Sequence, residues 1–167
     1  NGEYYRKKSI ARMSGLFFND SVSWSDINIK NPSFRFYSDQ FCFDAATNSA
    51  FPSTRLELLR ILSAANNCFV SWMGPILNPT MHFKIGDFEA LPACLRSDSG
   101  VESDIEELIS LSKYDWDSYE ISWEFSKSPM IDSSFDSKTL RLAYKGLREY
   151  QKKVISDVRM LEEKNNK

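Results

Sequence analysis

The segment Pro52-Ser53-Thr54-Arg55-Leu56-Glu57-Leu58-Leu59-Arg60-Ile61-Leu62 marks the beginning of an amphipathic helix. Thr54 and Glu57 have the spacing of a capping box, in which two side chains accept hydrogen bonds from free backbone N–H groups at a helix start. Apolar residues then recur at steps of three and four, at Leu58, Leu62, Ala65, Phe69 and Trp72. We expect this face to pack on a sheet and the helix to end at Gly74-Pro75.

Residues 14–44, on the N-terminal side of this helix, alternate between apolar and polar side chains. The alternating pairs are Val22 with Trp24, Ile27 with Ile29, Phe34 with Phe36, and Phe41 with Phe43. A period of two with aromatic enrichment is typical of half-buried strands. Asn31-Pro32 and Ser38-Asp39 supply turns between them. The alternation returns in Met81-His82-Phe83-Lys84-Ile85, which predicts a further strand closed by Gly86-Asp87.

The pattern predicts an α+β fold, a small mixed sheet packed on helices, followed by a long C-terminal helix. Residues 1–96 form the α+β domain. Residues 97–136 form an acidic segment that packs on it, with a helix at about 104–113 and an aromatic strap containing Trp116, Trp123 and Phe125. Residues 137–167 form a helix with a heptad seam at Leu140, Tyr144, Leu147, Gln151, Val154, Val158 and Leu161. Such a seam predicts a partner helix in the same polypeptide or in another one.

Length and composition limit the class of protein. The 167 residues fit one domain, or one domain plus an extension, and 42% hydrophobic residues are enough for a core. Since no apolar run reaches the roughly 20 residues of a membrane span and no secretory leader is visible, we expect a cytoplasmic protein that does not contact a membrane. The chain starts without Met and ends in a polar run, so we expect it to be part of a longer polypeptide.

Charge is unevenly distributed along the chain, although the formal net charge is only -2. Residues 1–60 carry eight Lys/Arg and six Asp/Glu, whereas residues 87–136 carry three and thirteen. The uneven distribution permits a basic face near the N-terminus of an acidic protein. The alternative is that these charges only solvate the surface.

Several polar and cationic side chains could bind DNA. Base edges are read by hydrogen-bonding side chains and phosphates are held by cations. The candidates on the predicted strands and turns are Asn28, Lys30, Asn31, Arg35, Tyr37, His82 and Lys84. The candidates for phosphate contacts in the N-terminal segment are Arg6, Lys7, Lys8 and Arg12. For each of them, simple exposure to solvent is the alternative interpretation.

Catalytic and metal sites are not predicted from the residues. A nucleophilic pair of Cys68 with the single histidine, His82, is the remaining enzymatic alternative, but the sequence shows no carboxylate that would orient the imidazole. One histidine without paired cysteines or clustered carboxylates cannot supply the three or four ligands of a metal ion. Three widely spaced cysteines indicate reduced, mostly buried thiols and no disulfide framework.

Two segments carry a resemblance to a known family. Leu77–Pro92, with the sequence LNPTMHFKIGDFEALP, resembles a signature that follows the catalytic domain of certain adenine-specific DNA methyltransferases. Ser112–Phe125, with the sequence SKYDWDSYEISWEF, resembles a signature of the PglX-type methyltransferases of BREX phage-exclusion systems. Shorter likenesses lie at Trp24-Ser25-Asp26-Ile27, Phe34-Arg35, Phe41-Cys42-Phe43-Asp44 and Leu161-Glu162-Glu163-Lys164-Asn165-Asn166.

The resemblance implies the C-terminal target-recognition region of a much larger adenine-specific enzyme that uses S-adenosylmethionine and serves in bacterial phage defence. Its implied partners are double-stranded DNA and the catalytic domain of the same parent chain, with other phage-defence proteins as further candidates. Catalytic residues cannot be transferred, because the glycine-rich cofactor turn and the Asn/Asp-Pro-Pro-Tyr/Phe tetrad are absent. Asn78-Pro79-Thr80 lacks the second proline and the aromatic residue, and we interpret it as a turn. The chain itself therefore is expected to hold no cofactor.

Two alternatives stay open. An α+β unit followed by a long heptad helix also resembles half of a type I restriction specificity subunit, for which helix-mediated dimers would be expected. The acidic segment 87–136 could instead make the chain a protein-docking module of a defence complex. In that case, neutralising the N-terminal cations and Arg35 would leave the affinity for duplex DNA unchanged.

Overall fold

The computed structural model describes residues 14–29, 31–92 and 100–167. The chain divides into two compact units, Asn1–Arg96 and Ser97–Lys167. The first unit contains a small sheet and three helices in its described part, and the second is helical. The α+β class predicted from the sequence is confirmed, as is the long C-terminal helix.

A three-stranded antiparallel sheet lies at the centre of the first unit. Strand β1 (Ser21–Ser25) pairs with β2 (Arg35–Tyr37) on one edge and with β3 (Thr47–Ala50) on the other. Val22 pairs with Phe36 and with Ala50, so the middle strand is covered on both edges, and Val22 and Trp24 are buried. The described strands are all antiparallel, where a mixed sheet was expected. The predicted strand at 41–43 does not form, and β3 lies a few residues further on.

Helix α1 (Arg55–Ala65) begins as its sequence predicts. The Thr54 hydroxyl accepts a hydrogen bond from the Glu57 N–H at 3.2 Å, and the Glu57 carboxylate accepts one from the Ser53 N–H at 3.0 Å. Both bonds satisfy amides that have no partner within the helix. Leu58, Leu59 and Leu62 are buried on the side of the helix that faces β1.

The helix ends at Ala65, well before the predicted end at Gly74-Pro75, and a second helix, α2 (Cys68–Leu77), follows and continues through Gly74 and Pro75. The break lies at Asn66, whose amide donates to the Phe34 carbonyl at 2.9 Å and accepts from the Phe34 N–H at 3.2 Å. Asn67 then caps α2 by accepting from the Phe69 N–H. The change of direction leaves Phe69 and Trp72 exposed, although both were expected on the buried face.

The strand predicted at 81–85 does not form beyond a single bridge at His82, and helix α3 (Ile85–Glu89) begins at its last residue. The backbone N–H of Lys84 donates to the Asp87 carboxylate at 2.8 Å, an interaction typical of a helix start. Phe88 of α3 stacks on Trp24, with ring centroids 4.6 Å apart, and lies 5.5 Å from the ring of Phe34. These rings, together with Phe83, form the aromatic part of the core.

The second unit is an antiparallel pair of helices, α4 (Val101–Asp117) and α5 (Leu140–Asn165). Its core contains Val101 and Ile105 from α4, and Leu147 and Leu161 from α5. Two 3₁₀ turns, Pro129–Ile131 and Ser133–Phe135, lie between the helices in the sequence and contact α5.

Helix α4 is longer than the helix predicted at 104–113. It begins after Gly100, and the Ser103 hydroxyl in its first turn donates to the Gly100 carbonyl at 3.4 Å. At the other end α4 continues to Asp117 and so includes Trp116, which was assigned to the aromatic strap. Trp116 and Trp123 are exposed, where burial was expected. Cys42 and Cys68, in the first unit, are also exposed rather than buried.

The heptad seam of α5 is partly covered within the chain. Leu147 and Leu161 are buried, whereas Leu140 and Tyr144 near the start of the helix are exposed. Helix α4 therefore is a partner helix for the central and C-terminal parts of the seam. Among the helices that the structure describes, none combines the length and the apolar character needed to cross a bilayer.

Candidate nucleic-acid interface

The end of β1 is joined to the segment that follows α2. Ile27 and His82 form an antiparallel bridge, the Asn28 N–H donates to the Met81 carbonyl, and the Phe83 N–H donates to the Asp26 carbonyl, both at 2.8 Å. The pairing brings residues 26–28 next to residues 81–83. It forms an edge of the first unit that we call the loop edge, consisting of residues 26–31 and 78–84 without the undescribed Lys30.

Asn78 holds the second half of the loop edge in place. Its Oδ1 accepts hydrogen bonds from the N–H and the hydroxyl of Thr80, at 3.0 and 2.7 Å. Its Nδ2 donates to the His82 carbonyl at 2.7 Å and to Oδ2 of Asp87 at 2.9 Å. Because an asparagine amide has two donor hydrogens and two acceptor lone pairs, all four sites are occupied. The Asn78 side chain therefore stabilises the turn through internal hydrogen bonds. This agrees with the interpretation of Asn78-Pro79-Thr80 as a turn.

Phe83 anchors the loop edge to the sheet. Its backbone carbonyl accepts hydrogen bonds from Nε1 of Trp24 at 2.9 Å and from Nδ2 of Asn48 at 3.2 Å. Its side chain is buried. Since Trp24 and Asn48 lie on paired strands, the position of the loop edge is fixed by the sheet.

His82 has a carboxylate partner that the sequence did not indicate. Nδ1 of the imidazole lies 3.0 Å from Oδ2 of Asp26, a residue 56 positions earlier in the chain. The bridge between Ile27 and His82 places the two side chains together, and such a pairing has no local sequence signal. When Nδ1–H donates to Asp26, Nε2 of the partly exposed ring is left for an external partner.

A cleft of about 250 Å³ lies beside the loop edge. Its lining includes Asn28, Asn31, Pro32, Pro75 and the turn 78–81. The Asn28 side chain donates one of its two amide hydrogens to the Ser25 carbonyl at 2.7 Å, and this bond helps to hold the loop. Asn31 is exposed, and its amide has no hydrogen-bond partner among the described residues.

The predicted DNA-binding residues fall on two different surfaces. Asn28, Asn31, His82 and Lys84 lie on the loop edge, where Lys84 is exposed and forms no ion pair in the described part of the chain. Arg35 and Tyr37 lie on β2, paired with Ser23 and Ser21 and so on the sheet face opposite to Val22 and Phe36. Lys30, Arg6, Lys7, Lys8 and Arg12 lie outside the described residues.

Among the residues that the structure describes, no group of three His, Cys, Asp or Glu side chains could hold a metal ion. The first unit is thus a small α+β module whose loop edge exposes the polar and cationic side chains of Asn31, His82 and Lys84.

Two curated proteins are similar to this chain, although no family model matches it. The adenine-specific methyltransferase BrxX of Escherichia coli O9:H4 (strain HS) is 26% identical over 132 residues, which are 78% of this chain and 11% of that protein. The adenine-specific methyltransferase PglX of Lacticaseibacillus casei (strain Zhang) is 34% identical over 114 residues, which are 68% of this chain and 10% of that protein. The chain thus spans about a tenth of the length of these relatives. These identities over part of the chain confirm the resemblance to adenine-specific methyltransferases.

Proposed function

We propose that this chain is the DNA-binding, target-recognition portion of a bacterial adenine-specific, S-adenosylmethionine-dependent DNA methyltransferase of a BREX phage-defence system. The similarity to two adenine-specific methyltransferases over at least two thirds of the chain supports the proposed class of the parent enzyme. The loop edge is the observation that carries the binding role. It is a preformed surface that leaves Asn31, His82 and Lys84 available to an external partner.

The cofactor would bind elsewhere in the parent enzyme. The six glycines of the chain are far apart, so no glycine-rich turn is available to approach S-adenosylmethionine closely. The methyl-transfer chemistry would come from the catalytic domain of the parent chain, and this portion would hold the duplex in position.

The geometry assigns different roles to the residues of the loop edge. Asn31 can offer both a donor and an acceptor, as a bidentate contact with an adenine edge requires. Asn28, which donates one of its two amide hydrogens to the Ser25 carbonyl, would position the loop instead. Lys84 on this edge and Arg35 on the sheet face would contact phosphates, as would the undescribed Lys30 and the cations Arg6, Lys7, Lys8 and Arg12. His82 could contact a base or a phosphate through Nε2, and Tyr37 would contact the backbone from the sheet face.

Fluorescence anisotropy with a labelled duplex, measured as a function of salt concentration, tests this proposal. We expect weak binding whose affinity falls steeply with salt, and a salt slope that decreases by about one unit for each of Lys84→Gln and Arg35→Gln. Lys145→Gln is the matched control, because Lys145 is an exposed cation on α5 whose ion pair with Glu149 is long, at 3.8 Å. Equal affinity of all three variants and the unmodified chain would contradict the proposal.

The type I specificity subunit is a second candidate function. The exposed Leu140 and Tyr144 leave the beginning of the heptad seam uncovered, which would suit pairing with another long helix. Sedimentation velocity tests this alternative. A dimer that dissociates when Leu140 and Tyr144 are replaced by Ser would favour it, and a monomer at all concentrations would reject it.

A further inference from the structure

The segment Lys113–Glu124, which we call the acidic turn, exposes several large apolar side chains. Trp116, Tyr119, Ile121 and Trp123 lie within eight residues of each other in the sequence, and each is at least half exposed. Large apolar side chains concentrated at a surface are typical of interaction sites, and Trp and Tyr are enriched there.

The acidic turn is ordered by its polar side chains. The Lys113 ammonium donates to Asp117 at 2.7 Å and also to Glu124. The Ser122 hydroxyl donates to the second oxygen of Asp117 at 2.6 Å and accepts from the Glu124 N–H at 3.2 Å. The charge-assisted bonds raise the pKa of Lys113 and lower the pKa of Asp117. Both residues therefore stay charged over the physiological range.

In the acidic turn a polar side chain is buried and an aromatic side chain is exposed, which is the reverse of the usual pattern. Ser122 is 8% exposed, whereas its neighbour Trp123 is 101% exposed. The polar side chain is turned inward and bonded, and the indole is turned outward. Because the turn is held before any partner arrives, less conformational entropy is lost on binding.

Charge indicates the chemistry of the partner. The acidic turn contains Lys113 and four acidic residues, Asp115, Asp117, Glu120 and Glu124. Lys113 is neutralised by two of them, and Asp115 and Glu120 form no ion pair among the described residues. This surface would repel a phosphate backbone and attract a cation. Arginine suits it best, because a guanidinium stacks on aromatic rings and pairs with carboxylates through two parallel hydrogen bonds.

We infer that the acidic turn is a docking site for an arginine-bearing segment of a partner protein. The inference does not depend on the DNA-binding role, since it concerns the second unit and a partner of opposite charge.

The test measures binding of two labelled probe peptides to the complete 167-residue chain. One peptide contains alternating arginine and glycine, and the other has lysine in place of every arginine. We expect the arginine peptide to bind several-fold more tightly than the lysine peptide. We also expect Tyr119→Ala/Trp123→Ala to weaken binding of the arginine peptide about tenfold, since two exposed cation–π contacts are removed.

Two further double variants separate the local charge from the general charge of the unit. Asp115→Asn/Glu120→Gln should weaken binding and reduce its salt dependence. Glu107→Gln/Glu163→Gln removes the same charge from exposed positions outside the turn and should change the affinity by less than about twofold. Far-UV circular dichroism checks that every variant is folded.

Three results would overturn the inference. The arginine peptide could fail to bind, or it could bind the Tyr119→Ala/Trp123→Ala variant as tightly as the unmodified chain. The third is a dimer of the unmodified chain that becomes monomeric in this variant, because a second copy would then cover the surface.

Discussion

Lys164 and Asp104 connect the last turn of α5 to the first turn of α4. The Lys164 ammonium lies 2.8 Å from Oδ1 of Asp104 and 2.7 Å from Oδ2. A carboxylate near a helix N-terminus and an ammonium near a helix C-terminus each interact favourably with the helix dipole. The same contact therefore joins the two helices and complements the charge of both ends.

Lys164→Met should destabilise the second unit. Asp104 is almost buried, so its carboxylate would lose its cation while staying poorly solvated, at a cost of about 1–3 kcal/mol. Urea unfolding followed by circular dichroism measures the change in the free energy of unfolding. Lys145→Met is the control, because the exposed pair of Lys145 and Glu149 should contribute less than about 0.5 kcal/mol. Equal effects of the two substitutions would show that the pair of Lys164 and Asp104 contributes no more to stability than an exposed ion pair.

The elements with an uninterrupted local pattern were predictable from the sequence. The start of α1 at Thr54 follows from the capping-box spacing, and the range of α5 follows from its heptad seam, with an error of about three residues at the N-terminal end. In both cases the residues that determine the element are within a few positions of each other.

The elements that depend on distant contacts were not predictable. The apolar period continues from α1 into α2, and only the hydrogen bonds of Asn66 with Phe34 show why the helix breaks there. Asp26 was missed as the partner of His82 for the same reason. The one sequence signal that could have directed attention to Asp26 was the likeness of Trp24-Ser25-Asp26-Ile27 to the methyltransferase family.

The hydrogen-bond network of Asn78 gives a sharp prediction for an isosteric substitution. Asn78→Asp would place a carboxylate next to the His82 carbonyl and the Asp87 carboxylate, where the amide now donates to both. We expect a loss of about 1–3 kcal/mol in the free energy of unfolding of the first unit. Thermal and urea unfolding measure this loss.

The double variant Asn78→Asp/Asp87→Asn tests whether this pair is the cause. It restores one donor and one acceptor between positions 78 and 87, so we expect it to be more stable than Asn78→Asp alone. Asp87→Asn alone should have a small effect, because an amide oxygen can still accept the hydrogen bonds from the Lys84 N–H and from Asn78. Additive effects of the two single substitutions would contradict the network.

Trp24→Phe should weaken the anchoring of the loop edge more than it disturbs the core. The substitution removes the hydrogen bond from Nε1 to the Phe83 carbonyl, which keeps only the longer bond from Asn48, and it retains most of the aromatic packing with Phe88. We expect a loss of about 1–2 kcal/mol and faster amide hydrogen exchange at residues 81–84. Unchanged exchange at these residues would show that the indole does not hold the loop.

The acidic turn should lose its order when the pH falls below the ordinary range of carboxylates. The pKa of Asp117 is lowered, first by the hydrogen bond from Lys113 and then by the one from Ser122. A lowered carboxyl pKa contributes stability above the ordinary value of 3.8, and that stability is lost as the pH falls through the lowered value. The pKa of Lys113 is raised, so its contribution is complete below 10.5 and is lost at higher pH.

Fluorine NMR of 5-fluorotryptophan at positions 116 and 123 measures the loss of order in the acidic turn at low pH and at high pH. We expect constant signals between about pH 5 and pH 9 and a change at low pH, with an acid midpoint that rises toward 3.8 in the Lys113→Met variant. Lys127→Met is the matched control. Lys127 lowers the pKa of Asp132 in the same way but lies outside the acidic turn, so its removal should leave the tryptophan midpoint unchanged. An identical midpoint in the unmodified chain and in the Lys113→Met variant would show that Lys113 does not hold the turn.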